Sequence, residues 1–136
     1  MELMPRFIHD SPRGYLPVAR VEDDRTFNAS PLGHRPVGYY EAAGVIHDRP
    51  SAFHPVGRVD RFGLVHDHVY RYHPVGRIEP GGIIHSDPFK THPVAHVETE
   101  DPVELSTPEL AAAGYYLLIY RRMTHRLQAR KQREKG

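Results

Sequence analysis

Eleven of the 136 residues are histidine and none is cysteine. Metal-ligand or proton-transfer chemistry therefore has to be sought among imidazoles and carboxylates, with no thiolate and no disulfide. The histidines are ordered along the chain. His9, His47, His66 and His85 each follow two apolar residues, Asn28 takes the same place in one copy, and His54, His73 and His92 each precede a Pro-Val pair. Imidazoles repeated at one position of a ring could face a common point and hold Zn, Ni or Cu, or a small anion, with Asp10, Asp48 or Asp67 orienting them from behind. That arrangement would make the chain a metal- or small-anion-binding protein with a hydrolytic activity within its reach. The competing reading is structural: a residue present in every unit is explained first by a job done in every unit, here a partly buried ring hydrogen-bonded to the neighbouring turn.

The elements that carry these residues repeat every 19 positions. Pro17-Val18-Ala19-Arg20-Val21, Pro36-Val37-Gly38-Tyr39-Tyr40, Pro55-Val56-Gly57-Arg58-Val59, Pro74-Val75-Gly76-Arg77-Ile78 and Pro93-Val94-Ala95-His96-Val97 open the units, each followed by an acid, Glu22, Glu41, Asp60, Glu79 or Glu98. A second apolar run follows in each of the first four units, as in Gly44-Val45-Ile46-His47 or Gly63-Leu64-Val65-His66. Two short apolar runs separated by a turn with glycine predict a β-hairpin per unit, with proline at a strand start. The residue after each repeat valine is glycine or alanine, as expected where equivalent strands crowd a common axis. The chain opens with an isolated second half-unit, Phe7-Ile8-His9-Asp10, and the series ends on a first half-unit, so these two can pair and close a ring with no exposed edges. Two alternatives stand beside this: Pro102-Val103-Glu104-Leu105 as the last unit's second strand, and a parallel β-helix. The expected fold is all-β: a 19-residue hairpin repeat over 1–105 closed into a small ring or barrel, followed over 106–136 by an amphipathic helix with a basic tail.

The run Val56-Gly57-Arg58-Val59-Asp60 with Gly63-Leu64-Val65-His66-Asp67, together with Leu110-Ala111-Ala112-Ala113 leading into Leu117-Leu118-Ile119, resembles the small bacterial β-flower repeat proteins, over about residues 7–120. That resemblance implies a four- or five-fold hairpin arrangement and no established activity, so it transfers no catalytic residue. The sequence departs from it in having His where such repeats have Tyr, and His-Pro before the valine.

Thr107-Pro108-Glu109 predicts a helix start with Thr107 as N-cap, Pro108 in the first turn and Glu109 at the positive end of the dipole. Leu110, Ala113, Leu117, Tyr120, Thr124 and Leu127 then recur at steps of three and four, an apolar stripe suited to packing on the β body or on a partner. Residues 121–136 hold seven Lys or Arg against one Glu, while residues 1–120 hold 11 basic and 16 acidic side chains. A basic tail on an acidic body points to an anionic partner or to attraction between tail and body.

No Gly-x-Ser-x-Gly elbow, phosphate loop or dinucleotide fingerprint occurs, and the repeated acids read as turn groups. The expectation is therefore a non-enzymatic scaffold or interaction module without cofactor. Its contacts would be with a protein partner or a second copy through the C-terminal helix, or more weakly with nucleic acid or an anionic membrane surface through the tail. The N-terminus lacks a secretory pattern and no run spans a bilayer, so a cytoplasmic location is the default.

Overall fold

The computed structural model describes residues 5–135. Ten short strands form one closed antiparallel barrel: β1 (Arg6–His9), β2 (Pro17–Val21), β3 (Thr26–Asn28), β4 (Pro36–Tyr40), β5 (Val45–His47), β6 (Pro55–Val59), β7 (Leu64–His66), β8 (Pro74–Ile78), β9 (Ile83–His85) and β10 (Pro93–Val97). Each strand pairs with its sequence neighbour, and β1 closes the ring on β10 through Ile8↔Val97 and His9↔His96. The composite hairpin is thus the one that forms, and residues 102–105 contribute no strand. Every pairing is antiparallel, which excludes the β-helix.

Up-and-down connectivity sorts the connections to two poles. The tight turns at 22–25, 41–44, 60–63 and 79–82 lie at one; the seven-residue loops at 10–16, 29–35, 48–54, 67–73 and 86–92 lie at the other. The tight turns need a left-handed residue, supplied by Gly44, Gly63 and Gly82 at φ 99, 89 and 97°, but by Arg25 at φ 71° in the first complete unit. A side chain in that region costs roughly 1–2 kcal/mol. Arg25→Gly is therefore expected to raise stability by about 1 kcal/mol in equilibrium denaturation. A loss of stability instead would mean that the arginine side chain contributes more than its backbone costs.

The helix does not cap the barrel; it fills it. A continuous helical rod comprises α1 (Thr107–Tyr115), a π-helical stretch (Tyr116–Tyr120) and α2 (Arg121–Lys135). Ala111 to Ile119 are all buried, a complete cylinder where a single stripe was expected. Around them stand the inward residues of the strands, among them Ile8, Phe27, Ile46, Val59, Val65, Ile78, Ile84 and Val97. The small residues of the repeat now have their physical cause. A β-carbon on Gly38, Gly57 or Gly76 would collide with the carbonyl of His47, His66 or His85 on the paired strand, and would also lie 3.3 Å from Ile119 Cδ1, 2.7 Å from Leu118 Cδ1 or against Leu117. Three consecutive helix residues thus face three consecutive hairpins. An α-helix, at about 3.6 residues per turn, advances too far per residue to follow a five-unit ring; the wider π turn reduces the step. Gly114 is explained in the same way, since a β-carbon there would come within 2.7–2.8 Å of Val59 and Ile46.

The rod enters at the tight-turn pole. Its N-cap is Ser106, one residue before the expected Thr107, and Ser106 and Glu109 form a reciprocal capping box. The Glu109 carboxylate is buried and accepts from the backbone N–H of Ser106 (2.9 Å) and of Glu100 (3.2 Å) and from Arg6 Nε (3.0 Å). It leaves at the long-loop pole, where the hydroxyls of Tyr116 and Tyr120 donate to Asp10.

Candidate functional site

In every strand that ends in the repeated histidine, the preceding residue points at the helix and the imidazole points outward. Its ring is covered by the adjacent strand and the next long loop. His47 stacks on Tyr39, the cross-strand neighbour, at 4.3 Å between centroids, with Phe53 tilted over it at 4.9 Å. His66 lies opposite Arg58 and is met edge-on by Tyr72 at 5.1 Å. His47 and His66 are wholly buried although they sit on the outer wall.

In His47 and His66 both ring nitrogens have fixed local partners. The His47 Nδ1 accepts from the backbone N–H of His54 at 3.1 Å, which puts the ring proton on Nε2, and Nε2–H donates to Glu41 at 2.8 Å. The next unit repeats this, with His73 N–H on His66 Nδ1 at 3.1 Å and His66 Nε2 on Asp60 at 3.1 Å. His85 keeps half of this arrangement: its Nε2 meets Glu79 at 2.7 Å, while its buried Nδ1 has no hydrogen-bond partner among the described residues. The repeated acids are therefore the partners of the repeated histidines. Asp48 and Asp67, expected behind His47 and His66, instead bind the side chains of His54 and His73.

Asn28 reveals what the position requires. Its Nδ2 donates to Glu22 at 3.2 Å and its Oδ1 accepts from the Arg35 N–H at 2.8 Å, the same donor and acceptor that His47 presents. An amide that neither titrates nor readily binds a metal does the work of the imidazole, so the site is a clasp tying a turn acid to a loop backbone. His66→Asn is accordingly expected to cost less than about 1 kcal/mol. His66→Leu, which leaves the His73 N–H without its acceptor and Asp60 Oδ2 without its donor, should cost about 2–3 kcal/mol. Equal losses in chemical denaturation would rule out the clasp.

The structure does not bring His9, His47, His66 and His85 to a common point on the axis. Strand alternation turns these side chains away from the axis, each toward its own hairpin, and the axis itself is occupied by the helix. Among the described residues no three His, Asp or Glu side chains are grouped to hold a metal ion.

Sequence reasoning missed the arginines that complete the clasp. Arg58 Nη1 donates to the carbonyls of His68 (2.7 Å) and Arg71 (2.9 Å), and Arg20 Nη1 to those of Ser30 (2.8 Å) and Gly33 (2.6 Å), so each crosses its own hairpin and anchors the long loop. The signal was present as Arg and His or Asn eight residues apart, Arg20 with Asn28 and Arg58 with His66. Loop 86–92 is held differently. Asp87 accepts from the N–H groups of Phe89, Thr91 and His92 and from the Thr91 hydroxyl; partial desolvation opposes ionisation, but these bonds outweigh it and bring the carboxyl down to about 2.

At the closing seam the clasp is incomplete. His9 is buried and stacked on His96 at 4.2 Å, its Nε2 is 3.9 Å from Glu98, and neither ring nitrogen has a hydrogen-bond partner among the described residues. Burial, and then the His96 charge, depress its pKa below the ordinary 6.5, with Glu98 opposing. Below pH 6.5 the unfolded chain takes up a proton that folded His9 refuses, so stability falls as pH drops from 6.5 toward the depressed value. The slope from this group is at most about 1.4 kcal/mol per pH unit. Denaturation midpoints measured across this range should show that His9→Asn flattens the dependence; an unchanged profile would place its origin elsewhere.

Comparison with known proteins finds no match to the chain among family models, curated proteins or solved structures. Among the described residues no helix is long and apolar enough to cross a membrane.

Proposed function

We propose that this protein is a non-enzymatic interaction module in which the barrel is a rigid holder and α2 is the contact element. The observation that carries this reading is the division of one helical rod into two environments. Ala111 to Ile119 are enclosed by the strands, while residues 125–134 are exposed and carry Arg126, Arg130, Lys131 and Arg133. A helix anchored along its first half inside a barrel is held at a defined angle, so a partner meets a preorganised cationic surface and the ordering cost of binding is reduced. The engagement of the His47 and His66 imidazoles in clasps, and the occupation of the axis by side chains, support a structural role for the repeat over a catalytic one.

The five-unit ring also favours the likeness to β-flower proteins, with a bacterial origin and a cytoplasmic location as parts of the same proposal. Deleting residues 121–136 removes the contact element and leaves the buried rod in place. The expected result is a folded protein that loses its bound partners in a pull-down or changes its oligomeric state by light scattering. If both stay the same, α2 is not the contact element.

A further inference from the structure

The fold separates charge along the barrel axis. The long loops and the tail together hold twelve Lys or Arg against five Asp or Glu, whereas the tight turns and residues 98–105 hold ten Asp or Glu against two Arg. The cationic pole also carries most of the exposed large apolar side chains. Tyr15, Tyr70 and Phe89 are 93, 89 and 81% exposed, each in a different long loop, and Leu32 and Phe53 occupy the remaining two. Every one of these loops also presents an exposed cation: Arg13, Arg35, Arg49, Arg71 and Lys90, the last of which pairs with Glu79 at 3.8 Å. Phe53 and Tyr72 have a structural task as lids on His47 and His66. Tyr15, Tyr70 and Phe89 have no aromatic or cation-π partner within the chain among the described contacts.

We infer that this pole binds single-stranded nucleic acid, bases stacking on Tyr15, Tyr70 and Phe89 and phosphates lying against the loop cations and the Arg126–Arg130–Arg133 face of α2. The inference rests on the reading of α2 as the contact element and names its partner. Exposed rings interleaved with cations are the two components such binding requires, since every base offers a π-face and every phosphate a charge. Arg126, Arg130 and Arg133 follow one another at helical spacing and line a common surface groove with Ala129. The geometry selects among polyanions. Residues 127–134 continue the rod about 12 Å past the loops, so a flat membrane or a stiff duplex resting on the helix is held off most of the loop ring. A flexible strand can wind around the rod and reach several loops at once. The acidic opposite pole orients the molecule with this face toward a polyanion.

The test is fluorescence anisotropy with a labelled oligothymidylate of ~20 nucleotides, against a duplex of equal length and against flotation on phosphatidylserine-containing vesicles. The full-length protein is expected to bind the single strand in preference to both, with an affinity that falls steeply with salt. The combined Tyr15→Ala, Tyr70→Ala and Phe89→Ala variant should weaken binding on the order of 100-fold with little change in the salt slope. The combined Arg126→Glu, Arg130→Glu and Arg133→Glu variant should weaken binding and lower that slope by about two. All six positions are exposed, so both variants should melt as the parent does, and Phe62→Ala at the opposite pole should change nothing. Absence of single-strand binding, equal binding of the duplex, retention on vesicles instead, or indifference to the aromatic variant would each overturn the inference. If the inference fails in one of these ways while the charge-reversed tail still alters the oligomeric state, α2 remains a contact element with a different partner. If the charge-reversed tail alters neither binding nor oligomeric state, both readings fail together.

Discussion

Glu109→Ala is expected to destabilise the protein by about 3–5 kcal/mol, the cost of removing one partner from a buried charged pair. The buried carboxylate joins three segments distant in sequence. It caps the helix at Ser106, takes the N–H of Glu100 in the segment after β10, and binds Arg6 at the start of β1. Arg6 also meets Glu100 at 2.9 Å, so the same cluster closes the barrel seam and locks the helix entrance. Its loss leaves Arg6 short of a buried partner and two N–H groups without an acceptor, against a total stability of about 5–15 kcal/mol for a domain of ordinary size. Thermal and urea denaturation would measure it. Glu109→Gln, which keeps the shape and one acceptor oxygen, should recover part of the loss, and Glu104→Ala, exposed and outside the cluster, almost none should be lost. If the two changes at 109 and 104 behaved alike, Glu109 would not be the lock.

The second large effect concerns the seat of the helix. Gly57→Ala places a methyl group 2.7 Å from Leu118 Cδ1 and against the His66 carbonyl, an overpacking expected to cost about 1–3 kcal/mol. Leu118→Ala removes a buried side chain and should cost about 2–5 kcal/mol alone. The double variant is expected to be more stable than the sum of the two losses predicts, because Leu118→Ala removes the methyl group's contact with Cδ1 while its clash with the His66 carbonyl remains. A coupling of roughly 0.5–3 kcal/mol of that sign in a double-mutant cycle is the signature of direct contact. Strict additivity would place the cost of Gly57→Ala at the His66 carbonyl and not at Leu118.

Taken together, the clasps and the seated helix describe a body with two kinds of repetition. On the inside, small residues and β-branched or aromatic neighbours receive a helix that has no symmetry of its own. On the outside, Asn28, His47 and His66, each paired with its turn acid, hold three of the long loops against the wall, and Arg20 and Arg58 anchor two of those three. The functional proposals draw on what this construction leaves over: the loop tips and the end of the rod.

Much of the architecture was readable from residue spacing. A 19-residue period, apolar runs of four or five residues and a glycine between them determine hairpins, because a strand needs only alternation and a turn needs only a residue at ease with positive φ. Closure was readable as one of two options, since the lone second half-unit at Phe7–Asp10 and the lone first half-unit at Pro93–Val97 can pair, while residues 102–105 were the rival partner that the structure leaves unpaired. The roles of the repeated residues were not. Period-2 alternation says that Ile46 and His47 point to opposite faces, but which face is inside depends on what fills the ring, and only the tertiary structure put the helix there. The apolar stripe from Leu110 to Leu127 looked like one face of a surface helix. The consecutive run Ala111 to Ile119, apolar apart from two tyrosine hydroxyls, was the better guide, because a helix enclosed by strands buries its whole circumference. Glu109 read as a dipole partner and proved to be the junction of three segments, since a carboxylate's long-range partners depend on chain path and leave no local pattern. The sequence by itself therefore determined the repeat, its hairpins and the uneven charge, which rest on local geometry and composition. Tertiary structure decided which side of each strand is the core, where each histidine points and which part of the helix remains free, because those depend on contacts between residues tens of positions apart.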